Sequence, residues 1–205
     1  MNKNYLLPGE PLRKGVDLIA DKKSGALIVI GSSNKLDKIS SGGINLKNCE
    51  YSPEMLSELA KMDGAIIVDE SISTILKANV HLNPSDSLQT SETGTRHRTA
   101  ERVSIETNLK VIAVSEESSA IKVFHNMKVN ELEAPAMILG RVNESLQSVD
   151  RMRRRFDEVL LELSELEIED TITNQQVLTV IQRGELLTRL ANQVKRCGKY
   201  IVPGS

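Results

Sequence analysis

Arg96, His97 and Arg98 stand side by side in the stretch TSETGTRHRTAER, which runs from Thr90 to Arg102. Gly94 precedes them, and a helix is expected to begin about Arg96. A glycine there lets the backbone come close to a ligand or take a positive φ. The first N–H groups of a helix have no partner within the helix, and here they point at the same place. The hydroxyls of Thr93 and Thr95 and two guanidiniums therefore converge on one spot. That is a local recipe for phosphate oxygens, because a helix end attracts anions and arginine forks oxygens in pairs. Two arginines and an imidazole suit a ligand with several negative charges, such as a triphosphate. The same residues equally fit a solvated helix start in which Arg98 and Arg102 pair with Glu101 or Glu106.

Two further stretches hold reactive side chains. In MDGAIIVD, Asp63 and Gly64 come just before a short apolar run. A carboxylate beside a glycine at a strand edge can hold a divalent cation or accept a proton from a hydroxyl; an ordinary Asp-Gly turn has the same sequence. In VIAVSEE, Ser115, Glu116 and Glu117 follow another apolar run. Loops at the carboxyl ends of strands are the usual ligand site in open α/β sheets, so Ser115 is a candidate for phosphate and Glu116 for a metal. A solvated loop is the alternative for at least one of the glutamates. Other chemistries are excluded by pattern. GSSNKLDKISSGG is neither a Walker A sequence nor GxGxxG, His81, His97 and His125 lack metal-site spacing, and there is no GxSxG. Cys49 and Cys197 lie far apart, which suits two reduced thiols rather than a disulfide or a CxxC metal site.

The elements that must position these residues follow from periodicity. GEPLRKGVDLIADKK suits an amphipathic helix, and ALIVIG a buried strand. YSPEMLSELAKM offers Ser52 as N-cap, Pro53 at the first helical position and Glu54 in the first turn. GAIIVD and VIAVS read as two more buried strands, and AIKVFHNMKV as one or two outer strands. Strands alternating with helices predict an α/β domain over roughly residues 1–135. The pattern then changes. Apolar residues from Val142 to Leu163 fall at helical spacing, and a second helix opens where Thr173 and Gln176 fit a capping box. These two helices predict a hairpin whose apolar faces need cover. The 205 residues carry a net charge of −2, with 40% hydrophobic and 2% aromatic residues. Near-neutral charge excludes a global pull toward nucleic acid or membranes, and scarce aromatics argue against a base-stacking platform. No apolar run reaches the ~20 residues of a membrane span, and MNKNYLLPGEP has no signal-peptide core. The expectation is a soluble, cytoplasmic protein.

Taken together, KMDGAIIV, ANVHLNP and TSETGTRHRTAERV, in this order and at these separations, resemble the diadenylate cyclase (DAC) domain family of the DNA integrity scanning (DisA) type. The DGA motif stands as Asp63-Gly64-Ala65 and the RHR motif as Arg96-His97-Arg98. The resemblance covers about residues 10–130, and VNESLQSVDRMRRRFDEVLLELSELEIEDTIT looks like the family's helical spine. It implies an α/β fold with a central mixed sheet flanked by helices over 1–140, then a helical spine segment over 141–205. It implies condensation of two ATP into cyclic di-AMP and two pyrophosphates with Mg2+ or Mn2+, between two domains that face each other. On this resemblance Asp63, Arg96, His97 and Arg98 are catalytic. Gly64, Ala65, Leu82, Thr95, Thr99 and Ser115 join the RHR residues at the nucleotide, and Asp63 and Glu116 are metal ligands. A homo-oligomer is expected, an octamer in full-length members of the type, with a smaller assembly as the alternative for this shorter sequence. Members of the type continue into a helix-hairpin-helix DNA-binding domain, whereas this sequence stops at CGKYIVPGS. The expectation is a truncated form, with Gly204-Ser205 a cloning remnant, or a short homologue, and no DNA binding. Arg153-Arg154-Arg155 reads as a solvated or interface face. The competing reading is a nucleic-acid-binding or scaffold module of a damage-sensing protein, gripping phosphodiester backbone with the basic helix start.

Overall fold

A computed structural model of the chain describes residues 5–198. The Gly204-Ser205 pair and the thiol of Cys197 lie outside the described residues. The chain divides into two compact units, one ending at Glu133 and one beginning at Ala134.

The first unit starts with helix α1 (Pro11–Asp21), whose first turn is fixed by a proline at N1, and enters strand β1 (Ala26–Ile30). A short helix α2 (Asn34–Ile39), capped by Ser33 Oγ accepting the Leu36 N–H, leads to β2 (Ser40–Ser41) and β3 (Ile44–Glu50). Helix α3 (Pro53–Leu59) begins where the sequence predicts, with Ser52 Oγ accepting the Met55 N–H at 3.1 Å and Pro53 at N1. Then come β4 (Ala65–Val68), β5 (Thr74–Leu82), helix α4 (Thr95–Thr107), β6 (Lys110–Val114) and the hairpin β7 (Ile121–His125) to β8 (Lys128–Leu132).

The strands form one mixed sheet in the order β2-β5-β4-β1-β6-β7-β8, with β3 also paired to β5. β1 and β4 run parallel because the chain between them crosses over through α2 and α3. β5 pairs antiparallel with β4, and β6 with β1. β1 is buried on both faces, so its alternating side chains serve two cores. Ile28 and Ile30 face Leu12, Val16, Ile19 and Leu56 of α1 and α3. Leu27 and Val29 join Ala100, Val103 and Phe124 under α4.

Periodicity does not mark β3, β5 or α2. In β5 the reason is local: Asn79 takes φ 55° and the β4–β5 register shifts twice, so TILKANVHL does not alternate cleanly. The second unit is a hairpin of α5 (Pro135–Ile168) and α6 (Asn174–Gly198). α5 begins earlier than the apolar spacing from Val142 suggests, with a proline in its first turn. Half of the expected capping box forms before α6. Gln176 Oε1 accepts the Thr173 N–H at 2.9 Å, while the Thr173 hydroxyl donates to the same oxygen at 2.8 Å. Arg153 and Arg154 are exposed and pair along α5 with Asp157 and Asp150. Among the described residues no helix is long and apolar enough to cross a membrane.

Candidate nucleotide site

The mixed topology brings four strand ends to one edge. β1 and β4 start there, while β5 and β6, antiparallel to them, finish there; Ala26 lies opposite Val114 and Ala65 opposite Val80. The start of α4 closes the edge. The result is a cleft of about 430 Å³. Gly25 and Leu27 line it from the start of β1, and Met62, Asp63, Gly64 and Ala65 from the turn into β4. Val80, His81 and Leu82 come from the end of β5, Thr95, Arg96 and Thr99 from α4, and Glu116 from the loop after β6. Beyond Arg96 it opens into a lobe of about 350 Å³ that adds Lys23, Ser24 and Lys61.

Arg96 enters the cleft because Gly25 leaves room for it. A Cβ on Gly25 would overlap the Arg96 guanidinium. Gly64 has another cause: its missing side chain makes way for the backbone of Asn79, whose Cα would lie 2.7 Å from a Cβ there. The glycine of the DGA motif is thus required by strand packing, whatever else approaches it. Asp63 is exposed at the mouth. Among the described residues, no hydrogen bond or ion pair engages the side chains of Asp63, Arg96 or Glu116. Helix α4 starts at Thr95 with Gly94 as N-cap, no side-chain cap and no acidic residue in its first turn, so its first N–H groups remain open to an anion.

The helix turns the three RHR residues to different surroundings. Only Arg96 lines the cleft. His97 packs edge-on against Phe124 of β7, with ring centroids 6.3 Å apart and planes at 71°. Burial holds its imidazole below the ordinary value of 6.5; Lys122 and Arg96 push the same way, against Glu92 and Glu131. Arg98 is exposed outside the cleft lining. The pairings of a merely solvated helix start do not form. Arg102 donates instead to Asp86 Oδ1 at 2.6 Å and to the Leu88 carbonyl at 3.0 Å. Glu106 accepts the Ser85 N–H at 2.9 Å, and Glu101 is buried with Oε2 unpartnered among the described residues. Ser115 is also off the cleft. Its Oγ accepts the Ser118 N–H and its own N–H donates to Ala120, so it shapes the turn that presents Glu116.

Sequence reasoning does not single out Gly25, Leu27, Met62, Val80 or His81 as cleft residues. Leu27 reads as part of a buried strand, while Met62, Val80 and His81 fall inside the motifs KMDGAIIV and ANVHLNP without being singled out.

Residues 13–129 match the family described as DisA bacterial checkpoint controller nucleotide-binding, and residues 132–201 the family described as DisA bacterial checkpoint controller linker region. The chain belongs to the DisA checkpoint controller family. The nucleotide-binding match contains every residue that lines the cleft. A DNA integrity scanning protein DisA from Kineococcus radiotolerans is 46% identical over 189 residues, 92% of this chain and 52% of the relative. That from Acidothermus cellulolyticus is 43% identical over 190 residues, 93% of this chain and 51% of the relative. The chain therefore spans about half the length of the curated DisA relatives it matches. Among solved structures, a double mutant of DacA from Staphylococcus aureus superposes with a TM-score of 0.50 at 29% identity, covering 65% of this chain and 91% of that one. A hypothetical membrane spanning protein from Bacillus cereus gives a TM-score of 0.53 at 25% identity, covering 60% and 62%.

Proposed function

We propose that the first unit is a diadenylate cyclase, a nucleotidyltransferase that condenses two ATP molecules into cyclic di-AMP and releases two pyrophosphates. The observation that carries this reading is the convergence of Asp63, Arg96 and Glu116 on one cleft. Unpartnered charges of both signs suit a ligand that answers both: phosphate oxygens for the guanidinium and a divalent cation for the carboxylates. Membership of the DisA family supports the same chemistry.

Asp63 and Glu116 fit Mg2+ or Mn2+. Two carboxylates completed by substrate phosphates are a common Mg2+ set, and no cluster of three or more His, Cys, Asp or Glu able to hold a metal occurs among the described residues. Such a cation, when bound, offsets phosphate charge and favours the ionised hydroxyl. The chain's own residues do the rest. Leu27, Ala65, Val80 and Leu82 give an apolar wall for the adenine. Arg96, the first N–H groups of α4 and the Thr95 hydroxyl hold the phosphates and stabilise charge on the departing pyrophosphate, and Thr99 joins them when its hydroxyl turns from the Thr95 carbonyl, to which it donates at 3.0 Å. Asp63 orients the attacking 3′-hydroxyl and draws off its proton. His97 acts from the Phe124 side by setting the helix start, Ser115 by shaping the loop of Glu116, and exposed Arg98 adds positive charge beside the mouth. Each attack forms one oxygen–phosphorus bond at the α-phosphate and breaks the bond to the leaving pyrophosphate. One cleft takes one nucleotide, so two copies must face each other to close the ring. Holding both nucleotides in line replaces a rare encounter in solution. The reading makes the protein a cytoplasmic homo-oligomer.

The test is incubation with ATP or GTP and Mg2+ or Mn2+, followed by chromatography. Cyclic di-AMP from ATP alone is expected, and Asp63→Asn or Arg96→Ala should slow its formation by at least ~100-fold. Unchanged product in either variant removes the site.

A further inference from the structure

Helix α4 must present Arg96 to the cleft, yet it has no side-chain cap to fix its first turn. The preceding loop, 83–94, is tied mainly to α4 itself. Arg102 binds Asp86 and the Leu88 carbonyl, and Glu106 binds the Ser85 N–H. Those bonds hold the loop to the helix body and leave the orientation of the helix start to other contacts. One ion pair connects the loop's last residues to the sheet. Lys122 Nζ on β7 donates to both carboxylate oxygens of Glu92, at 2.9 and 3.0 Å. The side chains are only 26% and 14% exposed, so the pair is better shielded than an ordinary surface bridge. Glu92 stands two residues before the N-cap Gly94, and its own N–H is held by Thr90 Oγ1 at 3.0 Å. Two residues span at most about 7 Å of extended chain, so anchoring Glu92 confines the helix start. On the same strand, Phe124 receives the His97 ring.

We propose that the Glu92–Lys122 pair is a positioning device for ATP binding, which clamps the start of α4 to β7 so that Arg96 faces the cleft and His97 faces Phe124. The proposal rests on the cyclase reading for its substrate, while its geometry is independent of that reading. Neither residue lines the cleft, so both act through the helix start that carries Arg96. The charged groups around His97 are Glu92, Lys122, Arg96 and Glu131. The pair thus also sets the local field at the imidazole.

The experiment compares wild type with Lys122→Met, Lys122→Arg and the exchange Glu92→Lys with Lys122→Glu. ATP affinity is measured by calorimetry, cyclisation by chromatography, melting by circular dichroism, and the His97 titration by NMR. Lys122→Met should weaken ATP binding and raise KM by roughly tenfold or more, since misplacement of about 1 Å can cost ~100-fold. Lys122→Arg should restore both, and the exchange should recover part. The His97 midpoint should rise in Lys122→Met, which removes a nearby cation. Lys122→Met with affinity and KM within twofold of wild type overturns the proposal. So does loss in Lys122→Met that Lys122→Arg fails to rescue while both melt equally early, which marks a purely structural bond. Wild type that binds ATP and forms no cyclic di-AMP sinks the cyclase reading alone; the affinity series then still decides the positioning role.

Discussion

The substitution Gly25→Ala isolates the position of the Arg96 guanidinium. A Cβ at residue 25 would lie 2.5 Å from Arg96 Cζ and 2.9 Å from Nη2, and closer still to Nη1. Contact between such atoms is comfortable at about 3.5 Å, so the guanidinium must withdraw by roughly 1 Å. The clash falls on the end of a flexible side chain, so the fold gives way cheaply there. Gly25 also has an ordinary φ, and an alanine reduces the freedom of the unfolded chain, which stabilises by about 0.4–1 kcal/mol. Stability and function should therefore move in opposite directions. Melting should hold or rise slightly, while kcat/KM for cyclic di-AMP formation falls by about 100-fold, equivalent to ~2.7 kcal/mol of lost transition-state stabilisation. The check is a double-mutant cycle with Arg96→Ala. Gly25→Ala should cost nothing further in that background, because the group it displaces is gone. A kcat/KM within threefold of wild type, or an additive loss in the double variant, refutes the assignment of Arg96's observed position to phosphate binding.

Gly64→Ala should behave differently, because its Cβ would meet the backbone of Asn79, at 2.6 Å from its carbonyl carbon. Overpacking against backbone costs about 1–3 kcal/mol, so the melting midpoint should drop by about 3–10 °C, and an unchanged melt contradicts the packing cause. Asp69 is raised by partial burial, but hydrogen bonds from Ser71, Thr74 and Ser73 outweigh this and hold its carboxyl below 3.8. Its contribution is present above 3.8 and disappears as pH falls through the lower folded value, so the gap in urea midpoint between wild type and Asp69→Asn should be wide at neutral pH and close in strong acid. His97, depressed by burial, gives a cost in acid. Below 6.5 the unfolded chain takes up the proton first, so wild type should lose stability relative to His97→Gln as pH falls through that region; parallel pH profiles count against a buried neutral imidazole.

Much of the architecture was legible because it rests on local rules. Ser52 and Pro53 marked the start of α3, and unbroken apolar runs marked β1, β4 and β6. β5 escaped because the positive φ at Asn79 and two register shifts break its alternation, and that strand brings Val80 and His81 to the cleft. The Asp63 turn and the α4 start were legible as candidates, since each carries its own short motif. Their mutual approach was legible only through the family resemblance, because it depends on pairings between distant segments that no local pattern encodes.

By itself the sequence determined which residues carry charge and donors, and where helices and most strands begin, since these follow from composition, caps and periodicity within a dozen residues. Only the tertiary structure decided that Arg96 alone of the three RHR side chains lines the cleft. It also decided that Gly25 makes room for Arg96 and that Lys122 reaches back to Glu92. The physical reason is that a sheet of mixed direction gathers strand ends from remote parts of the chain, and α4 packs on β6 and β7 together, which no local pattern encodes.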